Sequence, residues 1–244
     1  MVRLSVNVNK VATLRNSRGG RTPSVIDAVG ACVAAGAPGI TVHPRADRRH
    51  ITPDDVREIA RMLRALPPAV EFNIEGDPRP ELLDLVREVR PEQCTLVPVV
   101  EGEVTSQAGW QVGSERDRLP EAIGRLKALG IRVSLFVDPE PDPVRWAAST
   151  GAERVELYTE PFARAFERGP EAARRSFAQY GEAARLAHAL GLAVNAGHDL
   201  DLDNLLMFRH LPFLAEVSIG HALVSRALFA GLPVVVREYL DLLL

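Results

Sequence analysis

Eight short apolar segments run through this chain, each ending in a polar, chemically capable residue and most followed by an amphipathic helical stretch. They cover residues 4–9, 39–45, 70–75, 93–98, 132–138, 154–159, 192–198 and 215–221. Eight parallel strands, each followed by a helix, close into a (β/α)8 TIM barrel, an α/β fold whose active site gathers at the C-terminal ends of the strands. The strand ends offer Asn7, Asn9, His43, Arg45, Glu71, Glu75, Asp138, Glu156, His198 and His221. Packing alone does not account for so many ionisable and amide groups at one rim.

The length of 244 residues is close to the ~250 of one such barrel, and no linker or composition shift divides the chain, so residues 1–244 read as one domain. With 46% hydrophobic and 25% charged residues the chain can bury a large core, and a net charge of −3 gives no bulk attraction for nucleic acid or an acidic membrane. Cys32 and Cys94 supply too few thiols for a metal knot and read as buried groups of a reducing compartment. The start, MVRLSVNVNK, enters strand-like sequence at once, and no run of ~18 apolar residues occurs anywhere. A soluble cytoplasmic protein is expected.

Side chains alternate along a strand with period 2. Asn7 and Asn9 then share a face, as do Thr41, His43 and Arg45; Glu71, Asn73 and Glu75; and Glu156 and Tyr158. A purely structural barrel fills inward positions with branched apolar residues, so inward carboxylates need partners, water or a ligand. Between strands, Ser24 caps one helix, and Thr52 with Pro53 and two acids opens another. Further helices fit residues 80–89, 119–129, 143–150, 171–190, 203–210, 222–230 and 234–244, the last ending in a Leu-rich tail too apolar to sit free in water. Two long connections, 99–118 and 160–171, have the length of lids or binding segments.

Four stretches carry chemistry. The segment 12–23 sets Arg15, Arg18 and Arg21 around Gly19 and Gly20, a composition that suits both a phosphate loop and a solvated basic loop. The second strand runs into His43, Arg45, Arg48, Arg49 and His50, an anion and proton-transfer pattern in which Arg48 and Arg49 equally suit subunit contacts. After the seventh strand come His198, Asp199, Asp201 and Asp203; they alternate like a calcium loop but lack its glycine and terminal glutamate, and Asp203 suits a helix cap. A zinc pair of His43 and His198 is open on spacing, and nothing in the sequence supports one; no metal is assigned. Gly220 and His221 stand at the eighth strand-to-helix turn, where barrel enzymes hold phosphate on free backbone N–H groups.

At these residues the chain resembles the pyridoxine 5′-phosphate synthase family of vitamin B6 biosynthesis. The likeness spans essentially the whole length and rests on VNVNKVATLRNSRGG, GITVHPRADRRHIT, EFNIEG, TLVP followed by EVTS, VSLFVD, RVELYT, VNAGHDL and SIGHALVSRAL, in order. It implies a (β/α)8 barrel with extra helices, a homo-octamer of paired subunits, and condensation of 3-amino-2-oxopropyl phosphate with 1-deoxy-D-xylulose 5-phosphate, releasing phosphate and water. It also implies that His43 and Glu71 act as proton acceptors, His198 as a proton donor and Glu156 as the carboxylate stabilising the transition state. Asn7, Arg18, Asp199, Gly220 and His221 match the aminoacetone phosphate site, and Asn9, Lys10, Arg45, His50 and Thr105 the deoxyxylulose phosphate site. Ring closure needs repeated proton transfers, each worth ~10²–10⁴ in rate from a placed acid or base, and demands no redox cofactor or metal. The chain departs from the common pattern at Asn9-Lys10 (often Asp-His), Asp199 (often glycine) and Tyr158 (often histidine).

Two other classes share the pattern: a phosphosugar isomerase or aldolase on the same barrel, and a non-catalytic phosphometabolite-binding protein. A Schiff-base aldolase wants an inward strand lysine, and only Lys10 is a candidate; as a strand residue it alternates with Asn9 and points away from the cavity, while as a substrate contact it points in. Binding alone does not need four proton-transfer groups.

Overall fold

The computed structural model describes residues 1–66, 70–99, 107–114 and 118–244. Strands β1 (Arg3–Asn7), β2 (Gly39–Val42), β3 (Glu71–Gly76), β4 (Gln93–Leu96), β5 (Arg132–Val137), β6 (Arg154–Tyr158), β7 (Ala193–Gly197) and β8 (Leu214–Ile219) pair in sequence order. Every pairing is parallel and β8 returns to β1, closing the barrel. Around it run α1 (Asn9–Asn16), α2 (Val25–Ala34), α3 (Pro53–Arg64), α4 (Pro80–Val89), α5 (Arg118–Lys127), α6 (Pro141–Ser149), α7 (Glu160–Glu167), α8 (Pro170–Ala189), α9 (Leu205–Phe208), α10 (His221–Ala230) and α11 (Leu232–Leu243). The (β/α)8 expectation holds, with more than one helix in several connections.

Local chemistry places the helix starts. Ser24 accepts from the Asp27 N–H, and Thr52 and Asp55 form a reciprocal capping box behind Pro53. Three boundaries differ from the sequence expectation. Strand β1 stops at Asn7, whose side chain accepts the Asn9 N–H (3.0 Å) and turns the chain straight into α1, so Asn9 and Lys10 are helical rather than strand residues. The 160–171 connection is largely the helix α7, started by Pro161 in its first turn. Helix α9 is one short turn, and Asp201, not Asp203, does the local capping by accepting the N–H groups of Asp203 and Asn204. The Leu-rich tail is part of α11, which buries Val235, Val236, Tyr239 and Leu243 against β1 and α2. Among the described residues no helix is long and apolar enough to cross a membrane.

Alternation sends Leu4, Val6, Ile40, Val42, Ile74, Leu135, Leu157 and Val217 outward into the helix layer, where all are buried. The inward set is mostly polar instead. Reading the registers round the tilted strands stacks it in tiers drawn from alternate strands. From the N-terminal end these are Arg3, Glu71 and Arg132; Gln93, Arg154 and Glu216; Ser5, Asn73, Ser134 and Asn195; Thr41, Thr95, Glu156 and Ser218; Asn7, Glu75, Phe136 and Gly197; and, at the mouth, His43, Val97, Tyr158 and Gly220. Hydrogen bonds tie the middle tiers together: the Ser5 and Thr41 hydroxyls lie 2.6 Å apart, Thr95 donates to Asn73 (3.1 Å), and Gln93 and Asn195 both donate to Glu216 (3.3 Å each).

Candidate active site

The C-terminal mouth collects Asn7, His43, Glu75, Glu156, Tyr158, His198 and Gly220 from six strands. Asn7 ends β1, with its amide nitrogen 3.5 Å from Glu75 Oε2. Gly220 lies so close that an added Cβ would meet Asn7 at 3.1 Å, so a side chain here would crowd Asn7. Asn9 accepts the His43 backbone N–H (2.9 Å), fixing the residue just beyond β2. His43 is buried, its Nδ1 3.9 Å from Glu75 Oε2, and among the described residues its Nε2 has no hydrogen-bond partner. Burial, and then the neighbouring His50, Arg45 and Arg79 charges, hold its pKa well below that of a free imidazole. His50, its ring 6.1 Å from that of His43, is lowered to about 4 by burial and by Arg45 and Lys10.

Glu75 and Glu156 carry the opposite bias. Burial raises Glu75 to about 8, assisted by Glu216 and opposed by a Ser218 hydrogen bond. Glu156 is raised well above the ordinary carboxylate range by burial and by the charges of Glu75 and Glu216. Its carboxyl occupies the space in front of Gly197, where an added Cβ would lie 2.3 Å from Oε1. His198, on the turn after β7, packs between Phe136 (centroids 5.0 Å) and the edge of Tyr158 (5.4 Å), and burial lowers it to about 4. Asp199 is raised by burial and by Glu160. At neutral pH Glu75 holds its proton, while His50 and His198 are neutral imidazoles.

Glu71 is corrected. It is the first residue of β3, at the opposite end of the barrel, where it pairs with Arg3 (2.8 Å) and Arg132. It shares a face with Glu75 but lies four residues, about 13 Å, further down the strand, out of reach of His43. The carboxyl at the mouth is Glu75. Arg15 is likewise engaged, forming two bonds to Asp55 (2.5 and 2.9 Å) in the wall of a cleft of about 540 Å³ that Arg21 and Arg48 also line, between residues 15–26 and the start of α3. Arg18 is exposed just beyond α1, and Arg45 is buried beside His43. Lys10, exposed on the first turn of α1, lies close enough to the mouth for its charge to act on His50, His198 and Asp199. His221 is exposed at the first position of α10, behind Gly220 at its N-cap. Thr105 lies outside the described residues.

Sequence reasoning missed Arg79, which donates to the Pro44 carbonyl (2.5 Å) beneath the His43 turn, and Phe136, whose inward position in VSLFV was legible from alternation. Among the described residues no group of three or more His, Cys, Asp or Glu side chains is set to hold a metal ion.

The model of the family described as pyridoxal phosphate biosynthesis protein PdxJ matches residues 4–244. The chain belongs to this family. Its relatives include the pyridoxine 5′-phosphate synthase of Christiangramia forsetii, 51% identical with both chains covered in full, and that of Bacteroides thetaiotaomicron, 51% identical over 98% of each. The synthase of Leptospira biflexa is 48% identical over 100% of this chain and 97% of its own. Among solved structures, the phosphoribosylanthranilate isomerase of Thermotoga maritima shares the barrel at a TM-score of 0.57 and 14% identity, covering 100% of this chain and 98% of its own. That likeness is one of fold alone.

Proposed function

We infer that the chain is a pyridoxine 5′-phosphate synthase, an enzyme that condenses 3-amino-2-oxopropyl phosphate with 1-deoxy-D-xylulose 5-phosphate and releases phosphate and water. The observation that carries this is the full-length identity of 51% to a synthase, on a barrel whose mouth joins two imidazoles held low in pKa to two carboxyls held high.

Proton inventory assigns the roles. His43 Nε2, without a partner among the described residues, accepts a proton from substrate, and Glu75 behind its Nδ1 exchanges protons with it; their 3.9 Å separation closes to a hydrogen bond by a small side-chain rotation. Glu156, one tier below Glu75 and raised in proton affinity by burial and by the charges of Glu75 and Glu216, donates to oxygen as charge develops there. Burial lowers His198 to about 4, and an arriving phosphate dianion raises its proton affinity, which suits it to donate in the elimination steps. The free N–H groups at the start of α10, with Gly220, His221, Asn7, Arg18 and Asp199, hold the aminoacetone phosphate. Asn9, Lys10, Arg45, His50 and Thr105 hold the sugar phosphate, Asn9 through its amide hydrogens because its oxygen is engaged by His43.

Residues 1–244 form one barrel domain in this reading, in the cytoplasm. Copies associate as a homo-octamer, covering Leu228, Phe229 and Val234, which α10 and α11 leave exposed. Incubating the protein with both phosphorylated substrates and following pyridoxine 5′-phosphate absorbance tests the activity, and sedimentation tests the assembly. Folded protein that makes no product, or that instead isomerises or cleaves a single phosphosugar, would replace the synthase reading; a stable monomer at micromolar concentration would remove the octamer.

A further inference from the structure

His198 and Asp199 have φ values of +83° and +57°. Two consecutive non-glycine residues in the left-handed region are strained, and such backbone persists only where its surroundings over-determine it. Here two buried polar side chains from outside β7 do so. Thr159, at the end of β6, donates from its backbone N–H to the Gly197 carbonyl (3.0 Å) and shares its hydroxyl proton between the carbonyls of Gly197 (2.6 Å) and His198. Asn204 donates from Nδ2 to the Asp199 carbonyl (2.9 Å), while its Oδ1 accepts the Asp201 N–H (3.0 Å). Three successive carbonyls are thus held from both sides. By contrast, among the described residues no hydrogen bond holds the His198 ring, which is steered only by Phe136 and Tyr158.

We propose that Thr159 and Asn204 are positioning residues: they clamp the strained His198–Asp199 turn so that the imidazole stands over the mouth with its nitrogens available to substrate. This rests on the reading of His198 as a proton-transfer group. Neither side chain touches the reacting atoms; their effect passes through the backbone of the turn. A hydroxyl or amide is needed because an apolar side chain of the same shape leaves the His198 or Asp199 carbonyl without its donor and the Gly197 carbonyl with only the Thr159 backbone N–H.

The test compares Thr159→Val, which keeps the shape and loses the donor, with Thr159→Ser, which keeps the donor. Asn204→Asp adds a case that keeps the acceptor for Asp201 and loses the donor to Asp199. Each is assayed for kcat and KM, for thermal midpoint, and for the His198 imidazole resonances in histidine-labelled protein, assigned with His198→Asn. Thr159→Val and Asn204→Asp are expected to lower kcat roughly ten- to a hundredfold, as a displaced catalytic group does, with little change in KM and a moved or broadened His198 signal. Thr159→Ser restores both. Parental kcat with an unmoved His198 signal overturns the clamp, and so does lost activity accompanied only by a lower thermal midpoint. If Thr159→Val does not fold, Asn204→Asp decides by the same signal. Full activity in His198→Asn would sink the catalytic reading separately, leaving the resonance to decide whether the turn is clamped.

Discussion

Glu71 and Glu75 are chemically identical, share one face of one strand, and meet opposite surroundings. Glu71 pairs with two guanidiniums at the closed end of the barrel; Glu75 keeps its proton beside His43 because burial and Glu216 outweigh the Ser218 hydrogen bond. Glu75→Gln keeps the shape and removes the exchangeable proton, so turnover should fall by roughly 10²–10⁴, the usual worth of a placed acid or base, with an unchanged thermal midpoint. Glu71→Gln should do the reverse. It leaves Arg3 and Arg132 short of a carboxylate and lowers stability by about 1–3 kcal/mol, the low end applying because both guanidiniums remain partly solvated. Steady-state kinetics and denaturant melts on the two variants separate these outcomes; a large loss of kcat in Glu71→Gln with normal stability would return the proton acceptor to the bottom of the barrel.

At the scale of elements, α1 carries a feature at odds with helix stability. Lys10 stands in its first turn, where an ammonium opposes the helix dipole at a cost of about 0.3–1 kcal/mol, and no acid offsets it. Such a placement has its explanation at the mouth, where the charge bears on His50 and His198. Lys10→Ala should leave stability equal or slightly higher and raise KM for deoxyxylulose phosphate well above its effect on the aminoacetone phosphate. The imidazole pKa of His198, read by histidine resonances, should rise, since the lysine holds it down. Equal KM values in variant and parent would make Lys10 a bystander. Its side was undecidable in the sequence because a strand from 4 to 9 puts neighbours on opposite faces, whereas the helix that replaces it turns them by about 100°.

Across the whole molecule, the polar barrel interior makes folding a proton-binding event. Glu75 (about 8), Glu216 (about 7) and Glu156 titrate above the ordinary 4.5, while His43, His50 and His198 titrate below the ordinary 6.5. The folded carboxyls bind protons that the unfolded chain has released, so their contribution is lost as pH rises from about 4.5 through about 8. At the histidines the unfolded chain binds more, so stability is lost as pH falls from about 6.5 to about 4. The two trends oppose between 4.5 and 6.5, and above 6.5 the carboxyls alone remain. Stability should therefore decline from pH 6.5 to 8. Glu216 is faced by Arg3 from β1, Glu71 from β3 and Arg154 from β6; Glu216→Gln should flatten the part of the slope up to about 7 in denaturant midpoints. Parallel slopes for variant and parent would show that Glu216 holds no proton there.

The barrel itself was legible in the sequence, because apolar alternation, helix caps at Ser24 and Thr52, and polar strand ends are local signals that survive without knowing what packs on what. The groups that gather at the mouth, His43, Glu156, His198, Gly220 and Asn7, were legible too, since each stands at or near a strand end. Alternation assigns a face but not a height, and height was left to the tertiary structure. Closing eight tilted strands into one register decides which inward residues share a tier, and so separates Glu71 from Glu75, pairs Asn9 with the His43 backbone and brings Thr159 and Asn204 onto one turn. Those contacts join residues 34 to 39 positions apart as well as near neighbours. Their geometry depends on strand stagger and ring closure, which no single segment of the chain encodes.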